Sequence, residues 1–345
     1  MLNIILEWIA RSLAFGTVIM FGAMGETLTE KSGNMNLGTP GNMCIGGVCA
    51  FCATYLYQAK YVNVIVNENG AKVLDPSAFD YIMMIVLGIC VGFLSAALAG
   101  LLFSFLTTTL RANQNVAGLA ITIFGAGLAK FMRTLISAET AAKATVANTI
   151  FAKSLPFAGS LGWFGSIVFK HGFMFYLAIA IAILLHIVFK KTRTGLNLRA
   201  VGEGPATADA AGINVTKYKY VATVIGAGIS GLGGVFYILE YNNGTLETAS
   251  VGAIEALGWL ALALVIFSVW RPLNLIWSSF LFGACYWLYN YISVFGVKTT
   301  TAQVVLLEMI PYIVTIIVLV ISSVRKKREN QPPASLGLSY FREER

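Results

Sequence analysis

Gly226, Gly228 and Gly231 follow the apolar run 220–225 as G-x-G-x-x-G, the spacing that lets a backbone close on a dinucleotide pyrophosphate. That chemistry needs a soluble βαβ unit with further strands. Every segment around these glycines is instead long and apolar, so they read as close-packing positions in a membrane helix. No G-x-x-x-x-G-K-[ST] occurs in the chain, so any ATP hydrolysis belongs to another subunit. Cys44, Cys49, Cys52, Cys90 and Cys285 lie in apolar runs and read as small packing residues. His171 and His186 have no second ligand at helical spacing. Accordingly, no catalytic residue, cofactor or metal is assigned.

Glu255 and Glu308 offer a second chemistry, because an ionisable group inside an apolar run marks an ion or proton relay in a stand-alone secondary transporter. No clustered nucleophile, base or metal set accompanies them, which disfavours a membrane-embedded enzyme. The chain is 57% hydrophobic and 12% charged, against about 25% charged in a soluble domain. It therefore reads as an all-α polytopic transmembrane bundle. A net charge of +8 would suit nucleic acid. The positive residues fall, however, in one central loop and at 325–328 after the last apolar run, so membrane orientation accounts for them and no nucleic-acid partner is expected.

The central loop, 190–220, carries Lys190, Lys191, Arg193, Arg199, Lys217 and Lys219 against Glu203 and Asp209. Such an excess marks the cytoplasmic side. Pro205 suits a first helical position and Gly212 a left-handed residue past a helix end, so a short helix is expected over 206–211. Glu203 stands where the positive end of that helix favours an acid. Two turns are too short to be stable alone in water, so the helix needs a surface to dock on. The candidates are a cytoplasmic partner and the membrane face itself.

At the N-terminus, Glu7 and Arg11 can pair one helical turn apart. Residues 12–24 form an uninterrupted apolar stretch that is short of the roughly 20 needed to cross the hydrocarbon. The segment 25–41, GETLTEKSGNMNLGTPG, then brings acids, asparagines, Pro40 and glycines before the apolar run 43–57. A broken N-terminal region is expected here. It is either a surface turn or polar backbone lining a wet cavity in a transport path, where Asn34 and Asn36, and less surely Asn42, would offer uncharged hydrogen bonds.

Further apolar runs at 81–110, 116–136, 172–189, 221–238, 254–267, 273–289 and 304–323 complete the bundle. Gly88, Gly92, Ala96 and Gly100 make one small-residue ridge and Gly226, Ser230 and Gly234 another, each suited to close helix approach. Counting back from an inside C-terminus gives nine crossings, or ten if the broken region contributes one. Residues 1–325 form the transmembrane domain, and 326–345 a polar cytoplasmic tail expected to be disordered.

Four strings carry a resemblance. TRTGLNLRAVGEGPATADAAGIN, EKSGNMNLG, RANQNVAGLAITIFGAGLAKF and GWLALALVIFSVWRPL resemble, in the same order, segments of permease subunits in the bacterial ABC importer family for branched-chain amino acids, simple sugars and nucleosides. EKSGNMNLG and the NQN string are closest to its nucleoside-type, lipoprotein-fed members. Thr39 and Pro40 depart from the family, which usually has an aliphatic residue and a Glu before Gly41. The resemblance implies a permease in the bacterial cell membrane, moving a small polar solute by alternating access. Nucleosides are favoured over sugars or branched-chain amino acids. It also implies an ATP-binding subunit, a second permease completing a heterodimer, and an extracellular substrate-binding lipoprotein. Glu203, Pro205, Asp209 and Gly212 would then lie in the coupling element that meets the ATPase.

Overall fold

In hydrocarbon every backbone N–H and C=O must find a partner within the protein, which leaves helices as the way for so apolar a chain to fold. The computed structural model describes residues 2–66, 72–136, 142–155, 162–292 and 331–341, with scattered positions of 303–320. The described part is almost entirely helical, as expected. Among the described residues, six helices are long and apolar enough to cross a membrane. Glu308, Pro311 and the basic group at 325–328 lie outside the described residues.

Helix α1 spans Leu2–Glu30, and α2 spans Thr39–Tyr61. The expected break is present within 25–41, at 31–38, but α1 runs further than the apolar stretch 12–24, unbroken through Gly25 and both acids. Its polar last turn is tolerated because Glu26, Thr27, Thr29 and Glu30 are buried against protein rather than lipid. Glu7 and Arg11 do pair, at 3.0 Å, near the other end.

After α2 comes a hairpin of β1 (Asn63–Val66) and β2 (Lys72–Asp75). Helices α3 (Ala78–Val86) and α4 (Gly92–Ser104) are joined and extended by π-helical turns at Leu87–Val91 and Phe105–Thr109 into one rod. Then come α5 (Gln114–Ile136), the short α6 (Thr145–Phe151) and α7 (Gly162–Val168), and α8 (Phe173–Lys191). The central loop contains α9 (Arg193–Glu203), which the polar composition of that stretch did not announce, and α10 (Pro205–Ala210). Helices α11 (Val215–Phe236), α12 (Thr248–Phe267) and α13 (Pro272–Ile292) follow.

Helix α11 is the axis of the bundle, packed by α1, α2 and α4. Its glycines are occupied by neighbouring helices. Gly226 abuts the backbone of Gly25, Gly228 the ring of Phe93, and Gly231 the methyl of Ala96 and the backbone of Gly92. The two expected ridges do not meet each other: Gly226 and Ser230 face Gly25 on α1 and Gly234 faces Met43 and Gly47 on α2, while Gly92 and Gly100 on α4 receive Val235 and Ala227 from another face of α11. Small residues let backbones approach where lipid gives no hydrophobic drive for association. Cys49 and Cys52 do stand in C-x-x-C spacing, one turn apart within α2, and both thiols are free.

A side chain at Gly46 would meet Gly231 Cα at 2.6 Å, whereas one at Gly127 would meet nothing within 4 Å. Gly46→Ala should therefore destabilise the detergent-solubilised protein by about 1–3 kcal/mol through forced separation of α2 and α11. Gly127→Ala should be neutral or stabilising. Equal melting temperatures for the two variants would contradict the close helix approach.

Candidate functional site

The site is built around the polar turn 31–38. Helix α1 stops because Gly33 takes φ +86 and its N–H returns to the Glu30 carbonyl at 2.9 Å. Helix α2 starts at once, with Pro40 in its first turn. Between the last helical bond of α1, from the Lys31 N–H, and the first of α2, to the Gly38 carbonyl, side chains supply partners for the backbone. Met35 N–H donates to Gln114 Oε1 at 2.7 Å, and Asn36 N–H to Glu26 Oε1 at 3.0 Å. Gly38 N–H donates to the side-chain oxygen of Asn36 at 2.9 Å, and the Thr122 hydroxyl to the Leu37 carbonyl at 2.8 Å.

Glu26 holds both ends of this turn, since its other oxygen accepts the Thr39 hydroxyl at 2.7 Å. Thr39, the point of departure from the resembled strings, thus serves as the carboxylate's partner. One turn further along α1, Glu30 accepts the indole N–H of Trp270 from the α12–α13 turn.

The three asparagines read as path residues all lie here. Asn34 donates to the Thr223 hydroxyl on α11 at 3.0 Å. Asn36 caps Gly38, but among the described residues its Nδ2 has no hydrogen-bond partner, and neither amide atom of Asn42 has one. All three are at most 1% exposed. The segment is a buried polar plug between α1, α5 and α11, with uncharged hydrogen-bonding capacity left over inside it.

Next to the plug lies the central loop. Thr192 caps α9 by accepting the Gly195 N–H at 3.1 Å. Gly204 then breaks the chain, and Pro205 opens α10. The end of α10 matches the expectation: Gly212 has φ +83, its N–H bonds the Asp209 carbonyl at 3.0 Å, and Ile213 N–H bonds the Ala208 carbonyl at 3.0 Å. These paired bonds form a Schellman motif, and the left-handed residue it needs is most cheaply glycine. Val201, Ala208 and Val215 form a small apolar cluster that seats α10 on its neighbours. Glu203, Ala206, Thr207, Ala210, Ala211 and Gly212 face outward, Pro205 is half-buried, and Asp209 is partly buried.

Plug and loop touch directly. Gly202, near the end of α9, sits so close to the Lys31 carbonyl that no side chain would fit between them. The polar tail, expected to be disordered, instead has residues 331–341 seated across this junction. Ser335 N–H bonds the Gly202 carbonyl and Gly337 N–H the Gly33 carbonyl, each at 3.1 Å. Tyr340 donates to Asp209 Oδ2 at 2.8 Å, and the Arg111 guanidinium lies 4.6 Å from the Phe341 ring centre. The tail finds backbone partners at Gly33 and Gly202, where the absence of side chains leaves both carbonyls reachable. It also lies at the same end of the bundle as the loop. Sequence reasoning missed Glu26 and Gln114 as organisers of the turn. The available signal was a Glu ten residues before an Asn-rich turn, and a Gln inside the NQN string.

Removing a partner of a buried group costs about 1–3 kcal/mol for each group left unsatisfied. Glu26→Ala orphans two donors, and so should lower stability by roughly 2 kcal/mol or more. Glu26→Gln keeps acceptor capacity on one oxygen and should fall between. Thermal unfolding in detergent checks this, and an Ala variant as stable as the parent would remove Glu26 from the role of anchor.

Comparison with known proteins places this geometry. The family model described as branched-chain amino acid transport system / permease component matches residues 8–319. A nucleoside ABC transporter permease protein of Lactococcus lactis subsp. cremoris, NupC, is 30% identical over 90% of this chain and 90% of its own length. A guanosine ABC transporter permease protein of Bacillus subtilis, NupQ, is 29% identical over 89% of each chain. A putative glucose ABC transporter permease protein of Haloferax volcanii is 29% identical over 77% of this chain and 72% of its own. No solved structure gives a significant match.

Proposed function

The chain belongs to the branched-chain amino acid transport system / permease component family, and from that premise we propose that it imports nucleosides, powered by an ATPase subunit docked on α10. It is a multi-pass membrane protein, the permease component of an ABC importer. In the proposed assembly it pairs with a second permease subunit and receives substrate from an extracellular binding lipoprotein. The end of the bundle carrying the basic loop and the tail faces the cytoplasm of a bacterial cell, by the usual excess of Lys and Arg there. Its relatives act as transporters, and the chain itself performs no covalent step.

One observation carries the mechanism: the coupling loop and the buried polar turn touch at Gly202 and Lys31, with the tail bonded to both. A displacement of α10 by the ATPase therefore reaches Asn34 and Asn36 through packed backbone. The outward face of α10 is nearly all small residues, which lets it seat in a groove of a partner. Glu203, Pro205, Asp209 and Gly212 are assigned to coupling, as the residues that start, flank and end α10.

For the substrate, a nucleoside is neutral, polar on its ribose and stackable on its base, so its path needs uncharged hydrogen bonds rather than a fixed salt bridge. The free amide capacity of Asn36 and Asn42 fits that need once the plug opens. Relatives named for nucleosides and guanosine support this choice, and the relative named for glucose supports a sugar as the second reading. A proton-coupled carrier is less well served: Glu255 is half-buried on α12, and no relay partner is assigned to it.

The test is uptake of labelled guanosine, adenosine, leucine and glucose by cells with and without the gene, repeated for Asn36→Ala and Gly212→Val. Nucleoside uptake should disappear with the gene. Asn36→Ala should reduce it, and Gly212→Val, strained at a positive φ, should abolish uptake and its stimulation of ATP hydrolysis. Loss of glucose or leucine uptake with nucleoside uptake intact would refute the substrate. Normal uptake in Gly212→Val would refute the coupling role.

A further inference from the structure

A groove of about 460 Å³ opens at the loop end of the bundle, between the ends of α1 and α8, the side of α9 and the α12–α13 turn. Lys31, Lys190, Arg199 and Arg271 line it, beside the buried rings of Phe189 and Trp270. No acidic side chain lines it among the described residues. Two carboxylates act on Lys31 from nearby, Glu203 and Glu30, but Glu203 is exposed at the end of α9 and Glu30 already accepts the Trp270 indole N–H. Burial above all, and then the Arg199 guanidinium, lower the Lys31 ammonium from its usual range, with Arg271 acting in the same sense. Cations are thus gathered in a half-enclosed site where they repel one another, an arrangement that an anion would relieve.

The surface above the groove is of the opposite character. On α8, Ile183 and Ile187 share a helix face with His186 and Lys190, by their spacing of three, four and seven residues. Both isoleucines are exposed. On α13, which packs against α8, Leu273 is exposed and Trp277 is 78% exposed. Cationic groups therefore lie below an outward apolar surface, with Trp270 at the boundary.

We propose that this groove binds the phosphate headgroup of an anionic phospholipid, with Lys31 and Arg199 as its principal contacts and the acyl chains lying along α8 and α13. A lipid is favoured over an acidic segment of the ATPase because none of the lining residues comes from α10, while α8 and α13 carry exposed apolar side chains next to the groove. Free phosphate would satisfy the cations but leave the apolar surface unused. Bound there, a lipid ties α9 to the ends of α1, α8 and the α12–α13 turn, and so braces the loop beside its contact with Lys31.

The test is native mass spectrometry of the full-length chain in detergent, titrated with phosphatidylglycerol, phosphatidylcholine or inorganic phosphate. The parent should retain phosphatidylglycerol in clear preference to phosphatidylcholine, and millimolar phosphate should not displace it. Each basic residue near an anionic headgroup is worth roughly a fivefold change in affinity, so Lys31→Gln/Arg199→Gln should lose about 25-fold. Arg199→Gln alone, an exposed site that should not disturb folding, should lose roughly fivefold. Lys191→Gln, outside the groove, should lose nothing. Equal retention of the two lipids, or displacement by inorganic phosphate, would overturn the lipid assignment. An Arg199→Gln variant that keeps its lipid preference but no longer co-purifies with the ATPase subunit would overturn it in favour of a protein contact.

Discussion

The structure depends on one carboxylate. Glu26 accepts hydrogen bonds from the Thr39 hydroxyl and the Asn36 backbone, and so closes a non-helical turn inside a helical membrane protein. Backbone that leaves the helix at membrane depth survives only where protein groups take over its hydrogen bonds. Here they come from α1 and α5, through Glu26, Gln114 and Thr122, while Thr223 on α11 accepts the Asn34 side chain. Because the partners belong to different helices, a relative movement of those helices changes which bonds the turn can keep. A turn held this way has the makings of a gate.

In the proposed mechanism, movement reaches the turn through contacts too close to absorb it. Gly202 against Lys31, Gly25 against Gly226 and Gly46 against Gly231 bring backbones together with no side chains between them. Packed interfaces of that kind shift as units rather than deforming. The tail adds hydrogen bonds across the same junction, from Ser335 to Gly202 and from Gly337 to Gly33.

Much of this was legible in the sequence wherever the deciding interaction is local. The α10 stop at Gly212 follows from glycine's access to positive φ, and the small-residue ridges of α4 and α11 follow from spacing, although which helix each ridge faces does not. The extent of α1 was not legible. Glu26 and Glu30 look like a polar interruption within any short window, because the groups that make them tolerable lie 10 to 240 residues away. Helix α9 was hidden by its charge, which suggested loop rather than an amphipathic helix seated on the bundle. The tail's seating was hidden for a related reason: a polar, proline-bearing segment gives no sign of the two glycine carbonyls that receive it. Asn34, Asn36 and Asn42 were found as a group, although their burial, which makes them a plug here, depends on packing no local pattern reveals.

The central claim is that nucleotide-driven motion of α10 loosens the polar turn. Amide hydrogen exchange of the assembled importer, compared with and without bound ATP, tests it at the N–H groups of Met35, Asn36 and Gly38. These amides are held by Gln114, Glu26 and the Asn36 side chain. Protection there should fall when ATP binds, while the α11 amides around Gly231 stay protected. Unchanged protection of the turn in a complex that hydrolyses ATP and transports substrate would contradict the account.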